Sequence, residues 1–193
     1  MNVFGAQKNE ITRRECWNTV ERHELFETTR GLRLWSEVVE LPDGSVVPDF
    51  YQIKMPDFTV VYASNSAGSV ICIQQYKHGM KRVALTLPGG LIDQGESPLK
   101  AAQRELLEET GYICSTWKPI GEYILNGNQG IATAHIFVAT GGSKAACPKS
   151  GDLEDMSTVH LSPKRLALEL REGNLPIISH AAAVGLAQAI HTT

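Results

Sequence analysis

Residues 90–112 read GLIDQGESPLKAAQRELLEETGY, a glycine-bearing loop followed by a helix. Ser97 is a strong N-cap, because its hydroxyl can accept from an orphan N–H of the first turn, and Pro98 has the fixed φ that suits a first helical residue. Gly111 is the residue type expected just past the end, where the chain turns left-handed. Leu99, Ala102 and Leu106 recur at helical spacing and predict an apolar stripe, with Glu105, Glu108 and Glu109 gathered away from it. At roughly 100° per residue, Glu105 and Glu109 are about 40° apart round the helix. Like charges so placed cost an isolated helix about 0.2–0.5 kcal/mol. Arg104 stands one turn before Glu108 and can neutralise one carboxylate; the others call for a cation from elsewhere. A hard divalent ion that takes oxygen ligands, such as Mg²⁺, would serve.

A helix with three glutamates ordinarily has nothing more than a solvated acidic face. Here the glutamates belong to a longer pattern of fixed spacing, G-x5-E-x7-R-E-U-x-E-E-x-G-U, where U is a bulky aliphatic residue. Gly90, Glu96, Arg104, Glu105, Leu106, Glu108, Glu109 and Gly111 all fall in place, and only Tyr112 departs, being aromatic. In this the stretch resembles the box of the Nudix hydrolases, which cleave a nucleoside diphosphate linked to another group. The resemblance covers roughly residues 57–190 and implies an α/β/α sandwich built on a mixed sheet.

Composition sets wide limits. The chain has 193 residues, 42% apolar and 20% charged, as a soluble domain of ordinary size with a small appendage would. A net charge of −3 and the lack of any basic run give no reason to expect a nucleic-acid surface. No apolar run approaches a membrane span, and the N-terminal MNVFGAQKNE has no apolar core of a signal peptide. Cys16, Cys72, Cys114 and Cys147 are scattered without a CxxC pair, which argues against zinc and fits reduced thiols in the cytoplasm.

In chain order, a short helix is expected around Glu10–Val20. Leu25–Arg30, Leu32–Leu41 and Val46–Lys54 alternate as strands, with a turn at Pro42-Asp43-Gly44-Ser45. This predicts a small antiparallel sheet over residues 1–56, ahead of the main domain at 57–193. Phe58–Ser64 and Ser69–Tyr76 read as strands, and Val70-Ile71-Cys72-Ile73, apolar on both faces, should be central. Ala84–Leu87 leads as a strand into Pro88-Gly89-Gly90. Ile113–Tyr123 and Ile131–Ala139 follow as strands around the loop Leu125–Gly130. Thr140–Met156 reads as a long loop, a class that is often functional. Ser157–Leu161 is a short strand, Ser162-Pro163 opens a helix through Arg171, and Ser179 should cap a last helix to about Ile190.

The resemblance also implies roles. It puts metal, Mg²⁺ or Mn²⁺, on Glu105 and Glu109 and on the backbone carbonyl of Gly89, with Glu108 either a further ligand or the partner of Arg104. The early strands resemble the N-terminal sheet of the ADP-ribose pyrophosphatase and nucleotide-sugar hydrolase branch, where that sheet helps form a homodimer and reaches into the partner's site. In that branch the general base is a glutamate on the loop before the penultimate helix. Asp152, Glu154 and Asp155 stand there, and Glu154 fits its place best, a solvated acidic run being the plain alternative; Glu108 on the box helix is the catalytic base should none of these three serve. Lys77 occupies a position that usually holds arginine and would meet a phosphate as a point charge. Arg104 is a further substrate contact, and Trp35 or Phe26 would stack on the base or pack on a dimer partner. Gly127 stands where the resemblance leads one to expect the proline usual in ADP-ribose pyrophosphatases, a departure that speaks against strict ADP-ribose specificity and is consistent with a broader nucleotide-sugar hydrolase.

The expected activity is therefore Mg²⁺-dependent hydrolysis of ADP-ribose or a related nucleoside diphosphate sugar to a nucleoside monophosphate and a sugar phosphate. A second reading keeps the chemistry and changes the substrate to a dinucleoside polyphosphate, a coenzyme or an oxidised nucleotide; the N-terminal sheet argues against the last. A third is a non-catalytic nucleotide sensor on the same scaffold, which the complete set of box carboxylates disfavours.

Overall fold

The structure, a computed structural model, describes residues 16–149 and 156–191. It divides into two compact units, one of the residues up to Met55 together with Asn126–Ile131, the other of Pro56–Leu125 with the residues from Ala132 onward.

The first unit is a three-stranded antiparallel sheet of β1 (Asn18–Glu27), β2 (Arg33–Glu40) and β3 (Val46–Lys54). Its β2–β3 turn is closed by Asp43, whose carboxylate accepts from the Ser45 N–H at 2.9 Å. The helix expected around Glu10–Val20 is not found in its described part: Asn18–Val20 begins β1, where Asn18 and Thr19 pair with Glu40 and Val39 of β2 and Val20 falls at a register shift. Residues 10–15 lie outside the described residues. Asn126–Ile131 joins the unit through Met55 N–H to the Ile131 carbonyl at 2.7 Å and Gln52 Nε2 to the Asn128 carbonyl at 3.2 Å. The Asn126 side chain ties this turn by accepting from Asn128 N–H at 3.0 Å.

The second unit is a sandwich, as expected. Its sheet runs β10–β5–β4–β9–β7, with β6 also paired to β5 and β8 to β9. The strands are β4 (Phe58–Asn65), β5 (Val70–Lys77), β6 (Arg82–Thr86), β7 (Tyr112–Ile113), β8 (Thr116–Leu125), β9 (Ala132–Lys144) and β10 (Met156–Leu161). The β4–β9 pair is parallel and the others are antiparallel, so the sheet is mixed. Alternation along β4 builds two cores. Val60 and Tyr62 meet Leu166, Leu175 and Val184 from α2 (Pro163–Arg171), the segment after it and α3 (Ile178–His191). Val61 and Ala63 face the other way, onto Ala102 and Leu106 of α1 (Pro98–Thr110), with Tyr112 packed against that core. Val70, Ile71, Cys72 and Ile73 are all fully buried, as a central strand requires.

Helix α1 starts and stops where its sequence says. Ser97 accepts from Lys100 N–H at 3.4 Å, and Gly111 ends the helix at φ 72°. The buried face differs from the expected stripe, since Ala101, Ala102 and Leu106 are buried while Leu99 is 39% exposed. Two boundaries also differ. Residues 140–144 are not loop but the end of β9, paired with β7 and β8. Helix α3 begins at Ile178, so Ser179 lies within its first turn and does not cap it.

Candidate active site

The site is built where the run Leu87–Gly90 passes between β4 and the box helix. Val61 N–H donates to the Pro88 carbonyl and Thr59 N–H to the Gly90 carbonyl, each at 2.8 Å. From the helix side, the Glu109 carboxylate accepts from Gly89 N–H at 2.9 Å. From the opposite core, His180 accepts from Leu87 N–H at 3.0 Å. Gly89 is needed for the backbone to approach β4, and Gly90 leaves room for the Glu105 carboxylate. A Cβ on Gly89 would overlap the Thr59 carbonyl, and one on Gly90 would overlap the Glu105 carboxylate.

Arg104 organises the other half. Its Nε and Nη2 grip Glu96 in a bidentate pair at 3.1 and 2.9 Å. Nη1 reaches Glu105 at 2.7 Å and Glu108 at 3.2 Å, and Nη2 also donates to the Leu91 carbonyl at 3.0 Å. A guanidinium has five N–H donors, and these bonds occupy them all. These bonds hold the box loop to the helix and set the guanidinium, the expected substrate contact, beside Glu105 and Glu108. The hydrogen bonds from Arg104 keep the Glu96 carboxyl below its usual range, and those from Glu96 and its neighbours raise Arg104 further.

Glu105 and Glu109 both lie against the Gly89–Gly90 turn, but their surroundings differ. Glu109 is 6% exposed, buried and bonded to backbone, so it does not belong to a solvated acidic face. Glu105 and Glu108 turn toward Arg104. Among the described residues no group of three or more His, Cys, Asp or Glu side chains is arranged to hold a metal ion. The donors nonetheless fit a hard divalent ion. All of them are oxygens, the Gly89 carbonyl belongs to a residue with no side chain to crowd it, and Glu105 is seated on the space that Gly90 leaves. The Thr59 hydroxyl, on the strand residue whose backbone carbonyl packs against Gly89, is buried without a hydrogen-bond partner.

Other expected residues are placed as follows. Lys77 ends β5, close enough for its charge to act on His180. Phe26 and Trp35 do not share a face. Phe26 pairs in register with Leu34, while Trp35 pairs with Glu24 on the other side of the sheet. Trp35 donates to Glu37 at 2.8 Å, and the Arg22 guanidinium lies 4.0 Å from its ring centroid. On that face a cleft of about 310 Å³ is lined by Trp17, Glu37, Phe50, Gln52, Gly127 and Asn128. Trp17 and Phe50 meet there edge to face at 5.6 Å, and neither stood out in the sequence. Asp152, Glu154 and Asp155 lie outside the described residues.

The comparisons agree with this architecture. The chain is 28% identical over 126 residues to the methanol dehydrogenase activator of Bacillus methanolicus, covering 65% of this chain and 67% of that one. It is 29% identical over 121 residues to the ADP-ribose pyrophosphatase of Bacillus subtilis strain 168, covering 63% and 64%. It thus spans about two thirds of the length of these relatives. A solved structure described as an ADP compounds hydrolase superposes with a TM-score of 0.77 over 90% of this chain and 92% of that one; at 19% identity it shows the shared fold. The NUDIX domain family matches residues 54–180, a span that takes in the complete box, and the chain belongs to the Nudix hydrolase family.

Proposed function

We propose that this protein hydrolyses the pyrophosphate bond of ADP-ribose or a related nucleoside diphosphate sugar, using Mg²⁺ or Mn²⁺. The observation that carries the reading is the convergence of Gly89, Glu105 and Glu109 on one clamped turn. Similarity to an ADP-ribose pyrophosphatase supports the substrate class, as does the separate three-stranded sheet.

Gly89, Glu105 and Glu109 are the residues to hold the ion, with Glu108 beside them. A divalent ion bound there neutralises charge on the phosphate oxygens and lowers the pKa of water. The chain supplies the rest. Arg104 keeps the helix and the box loop in register, so the ligand oxygens are preorganised. Lys77 offers a point charge to a phosphate. Glu154 accepts the proton as water oxygen bonds to phosphorus and the bridging P–O bond breaks, leaving a nucleoside monophosphate and a sugar phosphate. Trp35 and Phe26, together with the Trp17–Phe50 cleft, are the aromatic surfaces for a base or a partner. The assembly proposed is a homodimer through the three-stranded sheet, in the cytoplasm. No helix among the described residues is long and apolar enough to cross a membrane.

A panel of ADP-ribose, other nucleoside diphosphate sugars, a dinucleoside polyphosphate and a coenzyme, assayed with Mg²⁺ by phosphate-coupled product detection, tests the reading. Preferred turnover of ADP-ribose or a nucleotide sugar is expected. Turnover confined to the dinucleoside polyphosphate or coenzyme would reassign the substrate, and none at all would favour a sensor.

A further inference from the structure

Of the run Leu87-Pro88-Gly89, only Leu87 and Gly89 have an N–H, because proline has none. Each of these two donors is held by one side chain, and the two side chains come from opposite faces of the sheet. Glu109 of α1 takes the Gly89 N–H at 2.9 Å. His180, in the first turn of α3, takes the Leu87 N–H at 3.0 Å through Nδ1. An imidazole that accepts at Nδ1 is neutral with its proton on Nε2. Burial, first, and the nearby charge of Lys77, second, push its pKa down to about 4, so the acceptor persists at neutral pH. Helix α3 packs with Leu87 in the core on the side away from the box helix.

We infer that His180 is a positioning residue for the Gly89 carbonyl: its grip on the Leu87 peptide sets the direction in which the carbonyl two residues later is presented. The inference rests on the reading of Gly89, Glu105 and Glu109 as the ion site. A group that orients a metal ligand, without touching the metal, commonly contributes 10–100-fold in affinity. Glu109 is proposed to hold the loop and bind the ion as well; His180 holds the loop alone. The run is thus fixed from a face where no catalytic group is proposed.

The test is Mn²⁺ binding to the full chain, followed by electron paramagnetic resonance, in the wild type, Glu105→Gln, His180→Phe and His180→Asn. Phenylalanine keeps a ring and loses the acceptor; asparagine keeps an acceptor of similar reach. The expected result is weaker binding in Glu105→Gln, an Mn²⁺ Kd raised about 10–100-fold in His180→Phe, and return to the wild-type range in His180→Asn. Wild-type affinity in His180→Phe, with Glu105→Gln impaired, overturns the inference and leaves the ion site standing. Equal loss in both His180 variants also overturns it, because packing and not the acceptor would then matter. Unchanged binding in Glu105→Gln overturns the underlying reading instead. Should His180→Phe not fold, the wild type decides. Mg²⁺ titration of ¹⁵N-labelled protein should move the Leu87 amide and the His180 Nδ1 resonances, and the same titration of Glu105→Gln should not. Silence at both resonances, while the Gly89 amide shifts, overturns it.

Discussion

In the sandwich unit two buried side chains hold backbone N–H groups of the loop before the box, whereas along β1 of the three-stranded sheet charged side chains pair with each other in solvent. Glu109 and His180 are buried and each holds a backbone N–H of one short loop. By contrast every residue of β1 is exposed, and its charges pair as Arg22–Glu24 at 2.6 Å and Arg33–Glu24 at 3.2 Å. Exposed pairs of that kind are worth about 0–1 kcal/mol. A buried group that loses its partner costs about 1–3 kcal/mol. One unit therefore fixes atoms in place, and the other keeps a surface available. Phe26, Leu34 and Ile53 share one face of that sheet by register, with Tyr51 beside them, and Phe26 and Tyr51 are 53% and 56% exposed.

Four changes probe this contrast. The largest effect is expected outside the clamped loop, at the proposed base. Glu154→Gln should lower kcat by about 10²–10⁴-fold with little change in KM. If Asp152→Asn or Asp155→Asn causes the loss instead, the segment is right and the residue is wrong.

Next comes the pH dependence of the buried grip. His180 has its pKa pushed down to about 4, below the ordinary 6.5. Between those values the unfolded chain binds a proton that the folded chain refuses, so stability is full above pH 6.5 and falls as pH drops toward 4. The loss is up to about 3 kcal/mol. Chemical denaturation at stepped pH should show this slope in the wild type and not in His180→Asn. Equal slopes would remove His180 as its source.

Glu109→Ala should destabilise the fold by about 1–3 kcal/mol, since it orphans the Gly89 N–H. An unchanged melting temperature would show that this clamp is not needed. The smallest stability effect is expected in the exposed sheet, where Phe26→Glu should leave the melting temperature nearly unchanged yet halve the mass seen by light scattering. A wild-type protein that is already monomeric and active at micromolar concentration would remove the dimer from the account.

What the sequence made legible follows the range of the interactions. Ser97 and Gly111 end α1 through bonds within a turn, so both ends could be read directly. Val70–Ile73 was legible as central because a strand buried on both faces leaves an unbroken apolar run. The hidden features depend on distant partners. Glu109 is separated from Gly89 by 20 residues, and Leu87 from His180 by 93. A single histidine in PIISHAAA gives no local sign of what it accepts. The start of β1 was obscured for the same reason, since Asn18–Val20 becomes a strand only through its partners Glu40 and Val39. Arg104 could be paired with Glu108 by spacing, but its bidentate grip on Glu96 appears only once the loop folds back.

The most direct test of the ion site is Mg²⁺-dependent ADP-ribose hydrolysis by the wild type and by Glu105→Gln, with melting temperatures recorded alongside. Glutamine keeps an acceptor for Arg104 and removes the charge. The account predicts turnover that depends on Mg²⁺ in the wild type and falls about 10³-fold in the variant, the scale of several kcal/mol of charge stabilisation, at nearly unchanged melting temperature. Near-wild-type, Mg²⁺-dependent turnover in Glu105→Gln would contradict it.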